Sequence, residues 1–313
     1  MAKLDRAGLE RLIDRYLEAL VAHAANRLPL AGNVRYTENG VELGLQDGLW
    51  GTAKASGKYR ILIPDVQSQQ VAYMGVLEEA GHLVCATTRL RVEDGAITEI
   101  ETLVNHPTLA GPGLFGAGAK MLEDMGAPHA EFTTKLKPEE RLSRPKLIEI
   151  ANSYFSGLER NTGRYPVPFD PECNRRENGV QTTGNAAVTA VSSSAGSEPA
   201  RPRDPNAPKT MFEMSPKEQL ETGGLAFVTA IRNRRFPVID EEMGNVLAFG
   251  FFDHSGQPET ITWRDGRVTP SAIRMPVSFQ ITELFKIKNG LIRQIEANLT
   301  STSYGMKCAL WDE

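Results

Sequence analysis

An internal repeat constrains the fold of this chain more than any other feature of its sequence. The segment NVRYTENGVEL, residues 33–43, has a counterpart in CNRRENGVQTT, residues 173–183, and both contain Glu-Asn-Gly-Val. Asn-Gly readily adopts positive φ angles and makes tight turns. Each copy therefore predicts a strand that ends in a tight turn immediately after a glutamate, Glu38 or Glu177.

The sequences on both sides of this segment repeat as well. Upstream, IDRYLEAL at 13–20 matches ANSYFSGL at 151–158, which places Tyr16 opposite Tyr154. Downstream, CATTRLRVEDGAITEIETL at 85–103 matches QITELFKIKNGLIRQIEANL at 280–299. Self-similarity in the same order over most of each half predicts two copies of one fold.

Composition places the chain among globular proteins of two domains. It has 313 residues, 41% of them hydrophobic and 24% charged, which is enough to build two cores. The net charge is −4 and the basic residues are scattered, with only short groups such as RNRR at 232–235. Nucleic-acid binding needs clustered cations, so we expect no nucleic-acid partner.

Cysteine usage and hydropathy bear on the compartment. Cys85, Cys173 and Cys308 are widely separated and form no CxxC pair, so a disulfide framework or a zinc site is not expected. The first twenty residues are charged and amphipathic instead of resembling a secretory signal. No run of about 18 apolar residues predicts a membrane span. We therefore expect a cytoplasmic protein without a membrane partner.

Hydrophobic periodicity predicts the same α+β order in both halves. Apolar residues at helical spacing predict helices over 5–24 and 145–160, and Tyr16 lies on the apolar face of the first. Strands are predicted at 34–37 and, as a set, at 58–63, 69–77, 82–92, 96–104, 225–231, 246–253, 276–287 and 291–300. A helix followed by long antiparallel strands favours a curved sheet that wraps around the helix as a cone-shaped α+β barrel.

The domain boundaries follow from changes in composition. We predict a first domain over 1–106, a connecting segment rich in glycine and proline over 107–143, and a second domain over 144–313. The second domain carries a Ser/Pro/Ala-rich insertion at 184–209 that has no counterpart in the first. Its composition is that of a mobile loop, which could be a surface loop or a lid over a pocket.

Together, the helix with Asp-Arg-Tyr-Leu-Glu, the strand that carries an acid and the final hairpin resemble the nuclear transport factor 2-like superfamily. This superfamily includes ketosteroid isomerase and the SnoaL-like cyclases. The resemblance implies a tandem pair of cone-shaped domains, each with an apolar cavity, and chemistry without metal or organic cofactor. Compared with ketosteroid isomerase, it implies roles for Tyr16 and Tyr154 as hydrogen-bond donors, for Glu38 and Glu177 as bases, and for Glu283 as a third polar group. The first half has Thr88 at that third position.

The residue chemistry is compatible with these roles and with simpler ones. A buried carboxylate such as Glu38 or Glu177 has a raised pKa and can carry a proton, but it could instead accept backbone N–H groups of the turn. Tyr16 and Tyr154 could donate to an oxyanion or serve as core residues. His106, just beyond the last strand of the first half, is a candidate second proton-transfer group.

Aromatic and basic residues near the acids are candidates for substrate binding. Tyr36, Trp50 and Tyr73 could line an aromatic pocket or belong to the core. Arg35 and Arg176 flank the two acids and could orient a substrate oxygen or form surface ion pairs. The five histidines show no metal-ligand spacing, so we predict neither a metal site nor a cofactor.

The function that these features favour is a cofactor-independent acid/base lyase. It would catalyse dehydration, or retro-aldol loss of a small carbonyl such as formaldehyde, on a small aromatic or polyketide-like oxygenated molecule. An isomerase, cyclase or epoxide hydrolase of the same superfamily is an alternative, and so is a non-enzymatic ligand-binding or assembly module. One half could hold the working site while the other is a scaffold, and homo-oligomers are possible.

Overall fold

A computed structural model describes residues 3–106, 115–190 and 208–311 of the protein. The term first half is used below for residues 3–106 and second half for residues 144–311. Most of the insertion predicted at 184–209 lies outside the described residues.

The first half consists of two helices and a six-stranded sheet. Its elements in chain order are α1 Arg6–Val21, β1 Leu30–Glu38, β2 Val41–Leu43, α2 Leu49–Thr52, β3 Ala53–Asp65, β4 Gln70–Glu79, β5 His82–Glu93 and β6 Ala96–Asn105. The strand order in the sheet is β2-β1-β6-β5-β4-β3. Strands β1 and β6 run parallel and the other neighbours antiparallel, so the sheet is mixed, whereas a purely antiparallel sheet was expected.

The second half repeats this arrangement. The connecting segment contains α3 Gly118–Met125 and α4 Ala130–Thr133. The second-half elements are α5 Arg144–Arg160, β7 Phe169–Glu177, β8 Val180–Gln181, α6 Pro216–Thr222, β9 Ala230–Asp240, β10 Asn245–His254, β11 Thr260–Thr262, β12 Val268–Pro270, β13 Val277–Lys288 and β14 Leu291–Thr302. The sheet order β8-β7-β14-β13-β10-β9 is that of the first half, so the predicted α+β tandem duplication is confirmed.

Two details of the second half differ from the sequence prediction. The strand predicted at 225–231 begins only at Ala230, because the residues before it turn across the inner core, where Leu225, Phe227 and Val228 pack. Strands β11 and β12 form a separate small hairpin that was not predicted.

Each half buries its long helix against one face of its sheet, called here the inner face. Helix α1 begins at the N-cap Asp5, whose carboxylate accepts a hydrogen bond from Gly8 N at 2.7 Å. Its apolar side then packs Leu9, Ile13 and Tyr16 into the first core. Helix α5 places Tyr154 in the second core in the same way. No helix in the described ranges is long and apolar enough to cross a membrane.

The outer faces of the two sheets pack against each other. Tyr59, Ile61 and Val76 of the first half share a core with Leu247 and Leu284 of the second. At the centre, the hydroxyls of Thr87 and Thr282 are 2.8 Å apart, and these threonines are equivalent in the sequence repeat. The halves are therefore arranged back to back with approximate twofold equivalence, and their inner cores lie on opposite sides of the molecule.

The repeated Asn-Gly turns have the geometry that their sequence predicts. Asn39 and Gly40 have φ angles of 49° and 81°, and Asn178 and Gly179 have 43° and 84°. The Asn39 side-chain oxygen accepts from Val104 N at 2.9 Å, and that of Asn178 accepts from Leu299 N at 2.8 Å. Each asparagine thus ties its turn to the neighbouring strand and fixes where Glu38 or Glu177 leaves the sheet.

Candidate functional site

Glu38 lies at the end of β1 with its side chain on the inner face of the first sheet. Its Oε2 atom accepts hydrogen bonds from the Tyr36 hydroxyl at 2.5 Å and from Leu49 N at 2.8 Å. Tyr36 stands two residues earlier on the same strand, hence on the same face. Both hydrogen bonds end on Oε2, and none to Oε1 is found within the described residues.

The short helix α2 organises the surroundings of Glu38. Gly48, just before it, has a φ angle of 55°, and a Cβ atom there would lie 2.7 Å from the Glu38 carboxyl carbon. Leu49 then binds Glu38 through its N–H, and Trp50 packs edge-on against the Tyr16 ring with centroids 5.4 Å apart. Thr52 donates to Glu79 Oε1 at 2.6 Å. The single turn of α2 therefore contacts Glu38, Tyr16 and Glu79.

Tyr16 projects from α1 into the same region. Burial raises the pKa of its hydroxyl well above the usual range, while Thr102, Thr88 and Trp50 beside it offset part of that effect and Glu38 adds to it. Thr88 and Thr102 are themselves hydrogen-bonded at 3.0 Å across β5 and β6. The Tyr16 hydroxyl is thus a neutral group among other polar groups inside an otherwise apolar core.

His106 and Glu79 form an ion pair next to Glu38. The His106 Nε2 atom lies 2.5 Å from Glu79 Oε2, with side chains 26% and 13% exposed. The hydrogen bond to Glu79 raises the pKa of His106, and the same bond lowers the pKa of Glu79. The imidazole therefore carries its proton at a higher pH than a free histidine and is reachable from solvent.

The pKa of Glu38 is shifted in the opposite direction from that of Glu79. Burial raises the pKa of Glu38, and the hydrogen bonds from Leu49 N and the Tyr36 hydroxyl lower it. The negative charge of Glu79 raises this pKa further, whereas the positive charge of His106 lowers it. Neighbouring carboxyls whose pKa values are pushed apart are a known mark of acid/base sites. Tyr16, Tyr36, Glu38, Trp50, Glu79 and His106 are called the first-half cluster below.

The equivalent region of the second half is filled by a network around Arg175. Its guanidinium donates to Tyr154 Oη at 3.1 Å, to Gln219 Oε1 at 2.8 Å and to Thr182 Oγ1 at 3.3 Å. It also pairs with Glu177 Oε2 at 3.3 Å. Arg175 stands two residues before Glu177, where the first half has Tyr36 before Glu38. Glu177 is thereby held in an ion pair.

Glu283 faces this network from β13. It is 1% exposed, and its Oε2 atom has no hydrogen-bond partner among the described residues. Burial raises the pKa of Glu283 to about 8, although Arg175 nearby opposes that shift. At neutral pH this carboxyl is therefore mostly protonated. Glu177, in contrast, lies 3.3 Å from the guanidinium of Arg175.

The long connection from β8 to β9 covers the inner face of the second half. Gln219 on α6 donates to Thr182 O at 2.9 Å and to Met211 O at 2.6 Å, and Leu220 packs into the second core. The corresponding connection of the first half contains only residues 44–52. The second inner core is consequently closed by its own chain to a greater extent than the first.

Several residues predicted from sequence to bind substrate are engaged in other contacts. Arg35 points outward, where it pairs with Glu42 at 3.0 Å and donates to Ala309 O at 2.9 Å. Arg176 donates to the Met125 sulfur at 3.4 Å on the outer side. The Tyr73 hydroxyl is buried and donates to Val76 O at 2.8 Å. The remaining predicted residues belong to the first-half cluster or to the network around Arg175.

Two residues of these sites were missed from the sequence, Glu79 and Arg175. Arg175 could have been found, because strand periodicity places residue i−2 on the face of Glu177 and excludes its neighbour Arg176. Glu79 had a weaker signal: it ends a strand, and its partner His106 is 27 residues away.

Three surface cavities formed by described residues lie elsewhere. They have volumes of about 390, 630 and 290 Å³ and lie along α5, between α1 and β3, and beside Asp65 and Asp240 at the junction of the halves. In the described ranges, no group of three or more His, Cys, Asp or Glu side chains is arranged to hold a metal ion.

The fold and these clusters define a tandem α+β protein with a group of buried and half-buried titratable side chains in its first half. The chain belongs to the family described as domain of unknown function (DUF8021), whose profile matches residues 2–104 and 140–299. A solved NTF2-like protein of unknown function from Cytophaga hutchinsonii ATCC 33406 is similar at 13% identity and a TM-score of 0.27, covering 33% of this chain and 94% of that one. No curated protein matches the chain.

Proposed function

We propose that the first half catalyses a cofactor-independent acid/base reaction, a dehydration or retro-aldol cleavage of a small oxygenated molecule. The observation that carries the proposal is the pairing of Glu38, to whose Oε1 atom no hydrogen bond is found within the described residues, with the His106–Glu79 ion pair. One carboxyl with a raised pKa and one imidazole with a raised pKa supply a base and an acid in the same site.

In a dehydration, the Glu38 carboxylate takes a proton from the carbon next to a carbonyl group. The electron pair of that C–H bond forms a carbon–carbon double bond, and negative charge develops on the carbonyl oxygen. The charge then returns and expels the hydroxyl group from the next carbon, which leaves as water with the proton of His106. Solvent returns the protons to their starting groups, so the reaction needs no oxidant or reductant.

In a retro-aldol cleavage, the same base would act on a hydroxyl proton. The O–H electrons form the carbonyl of the departing fragment, the carbon–carbon bond breaks, and its electrons move toward the remaining carbonyl oxygen. Uncharged donors beside that oxygen stabilise the developing charge in a site that excludes water. Tyr16 is proposed for this role, because the single hydroxyl proton of Tyr36 is already donated to Glu38 Oε2.

The second half is less suited to this chemistry. Its carboxylate Glu177 is held by Arg175 and Thr182, and Arg175 is itself fully engaged. Proton transfer by Glu177 would disrupt its ion pair with the buried Arg175, which is costly. The second half is therefore proposed to be a scaffold.

The matched variants Glu38→Gln and Glu177→Gln test this assignment. Turnover of a panel of β-hydroxyketones and aromatic diols would be followed by release of water-loss product or aldehyde, after circular dichroism shows that both variants are folded. We expect Glu38→Gln to lose at least about 100-fold in kcat, the range of a lost general base, and Glu177→Gln to stay within about threefold of wild type. Equal activity of both folded variants would exclude Glu38 as the base.

A further inference from the structure

The groove between the long helix and the edge strand is closed by side chains in the second half. Arg234 of β9 reaches across this groove to α5, where its guanidinium donates to Ser156 Oγ at 3.0 Å and to Glu159 Oε2 at 2.6 Å. The other carboxylate oxygen of Glu159 accepts from Ile231 N of β9 at 2.8 Å. One carboxylate thus joins a strand N–H group to a guanidinium and satisfies both donors at this edge of the sheet.

The corresponding groove of the first half is an open cavity of about 630 Å³ between α1 and β3. Strand pairing places Ser56 opposite Leu77, and in the second half it places Ile231 opposite Phe252. Leu77 and Phe252 are each the eighth residue of their strands, β4 and β10. Ser56 is therefore the counterpart of Ile231, and it lines the cavity on the edge strand of its sheet.

The first half lacks the carboxylate that closes this groove in the second half. In the helix repeat, Val21 stands where the second half has Glu159. Val21 cannot accept a hydrogen bond from Ser56 N or from Arg60, whose side chain also lines the cavity. Arg60 pairs with Asp14 of α1, and these side chains are 40% and 45% exposed. The cavity thus has the kinds of donor found in the second-half groove without the acceptor that joins them.

We infer that the cavity between α1 and β3 binds a small organic carboxylate, which accepts hydrogen bonds from Ser56 N and Arg60 as Glu159 does from their counterparts. A carboxylate has two oxygens and can accept from both donors at once. The volume is in the range of small-molecule sites, and the apolar walls that would contact the body of the molecule are Leu17, Val21, Ala22 and Ala55. The inference goes beyond the proposed function, because none of these residues belongs to the first-half cluster.

The charges that line the cavity favour a monocarboxylate. The strand side carries two cations, Arg60 and the exposed Lys54, and the helix side carries Asp14 and the exposed Glu18. A single carboxylate on the strand side contacts the cations, whereas a second carboxylate would lie toward Glu18 and be repelled. Because Arg60 is already paired with Asp14, Glu18→Gln should strengthen the binding of a monocarboxylate.

The test follows the backbone amide signal of Ser56 in the protein labelled with ¹⁵N. Benzoate and hexanoate would be titrated against their uncharged counterparts benzamide and hexanamide. We expect both carboxylates to move the Ser56 signal downfield, and both amides to move it much less, because hydrogen bonds to a charged acceptor are shorter and stronger. A Ser56 signal that ignores the carboxylates, or moves equally with the amides, would overturn the inference.

Val21→Glu gives the first half a carboxylate of its own at the position of Glu159. This side chain competes with the ligand, so the affinity for benzoate should fall at least about tenfold, as for a lost hydrogen bond to a charged group. Val21→Met is the matched control, because it introduces an unbranched side chain of similar length without a charge, and its affinity should stay within about threefold of wild type. Equal affinities of the two variants for benzoate would contradict the inference.

The second half provides the reciprocal test. Glu159→Ala removes the carboxylate that Ile231 N and Arg234 bind, so acetate should move the Ile231 amide signal in this variant and leave it in place in wild type. An Ile231 signal that ignores acetate in the folded variant would overturn the equivalence of the two grooves on which the inference rests. Glu38→Gln should bind benzoate as wild type does, which separates this site from the proposed reaction.

Discussion

Glu38 and Glu79 show how the same residue type acquires different properties a short distance apart. Glu38 is buried, with a tyrosine hydroxyl and one backbone N–H as donors, and its pKa is raised. Glu79 is half-buried against His106, and its pKa is lowered. Burial penalises the charged form while an adjacent cation favours it, so the local contacts and not the residue type decide which carboxyl carries a proton.

The ion pair between His106 and Glu79 should control the pKa of His106. Glu79→Gln removes the anion that raises the pKa of His106, so that pKa should fall toward its ordinary value, as measured by NMR of the imidazole signals. Glu78→Gln is the control, because Glu78 precedes Glu79 on β4 and points to the other face. A His106 pKa that is the same in both variants would show that the ion pair does not form in solution.

The same pair should affect stability in a defined pH window. The raised pKa of His106 gives stability that is present below its ordinary value of 6.5 and lost as pH rises through the folded value. The lowered pKa of Glu79 gives stability that is present above its ordinary value of 4.5 and lost as pH falls through the folded value. Glu79→Gln should therefore destabilise most between about pH 4.5 and 6.5, by up to about 1 kcal/mol in urea unfolding, as for a partly exposed ion pair.

Gly48 provides a test of how closely the chain approaches Glu38. Gly48→Ala combines a positive φ angle with a Cβ atom 2.7 Å from the Glu38 carboxyl carbon. We expect about 1 kcal/mol from backbone strain, and a further 1–3 kcal/mol, roughly, with loss of activity because the carboxylate is displaced. Gly81→Ala is the control, since Gly81 has a φ angle of 85° and open space around it. Equal effects of the two substitutions would mean that Glu38 moves aside freely.

The sequence predicted the residue types of the site better than their partners. Helix periodicity, the repeated turn and the strand end fix the positions of Tyr16, Glu38 and His106 along the chain, and the roles of these residues stay predictions. Glu79 and Trp50 acquire their contacts through packing between α2, β4 and the chain after β6, which no local pattern encodes. Arg175 and Arg176 are adjacent, so choosing between them required the strand face, which one register shift would reverse.

At the scale of elements, the two copies of the Asn-Gly turn are covered by different segments of the chain. The Asn39–Gly40 turn is covered by the C-terminal tail, where Ala309 N donates to Gly40 O at 3.0 Å. The Asn178–Gly179 turn is covered by the start of α3, and a Cβ atom at Gly118 would lie 2.8 Å from the Asn178 carbonyl carbon. Each half therefore sends the chain that follows its last strand onto the turn of the other half.

This close approach predicts a large effect of Gly118→Ala. Backbone atoms on both sides leave no room for a methyl group, so α3 must shift, and we expect the free energy of unfolding to fall by about 2–4 kcal/mol. Gly32→Ala, where a Cβ atom meets nothing within 4 Å, should change stability by less than about 0.5 kcal/mol. Thermal unfolding of both variants provides the comparison. If they have the same Tm, α3 does not dock on the turn.

At the scale of the molecule, the back-to-back packing is reinforced by reciprocal ion pairs. Arg6 at the start of α1 pairs with Asp240, and Arg144 at the start of α5 pairs with Asp65 at 2.5 Å. The repeat predicted two domains but not this packing. The sequence did contain an indication of this packing, the continuous apolar run VLAFGFF of β10. Such a run is expected for a strand covered on both faces, and β10 is buried throughout.

Two glutamates that are equivalent in the repeat have opposite environments at the junction of the sheets. Glu101 pairs with Arg89 at 2.7 Å and Arg235 at 2.9 Å, and these arginines lower its pKa although burial opposes them. Glu296 accepts from the Tyr59 hydroxyl of the first half at 2.6 Å. Burial raises the pKa of Glu296 to about 7, against the effects of Tyr59 and Arg176.

The raised pKa of Glu296 should make the stability of the protein depend on pH. Because its folded pKa of about 7 lies above the ordinary 4.5, its stabilising contribution is complete below pH 4.5 and is lost as pH rises through 7. Glu296→Gln keeps an acceptor for Tyr59 and cannot ionise, so it should be more stable than wild type at pH 8, by on the order of 2–3 kcal/mol, and similar to it at pH 4.5.

Glu101→Gln is the matched variant, and it should change the stability at pH 8 in the opposite direction from Glu296→Gln. It removes the carboxylate that pairs with Arg235 and one of the two that pair with the buried Arg89, whose other partner is Glu99. It should therefore destabilise the protein at pH 8, since removing one partner of a buried ion pair leaves buried charge less well compensated. Urea unfolding across pH 4.5 to 8 measures both. Glu283, with a pKa of about 8, adds its own loss of stability at high pH, so Glu296→Gln removes only part of the wild-type slope. A slope unchanged by Glu296→Gln would place the titrating group elsewhere than at the contact between the halves.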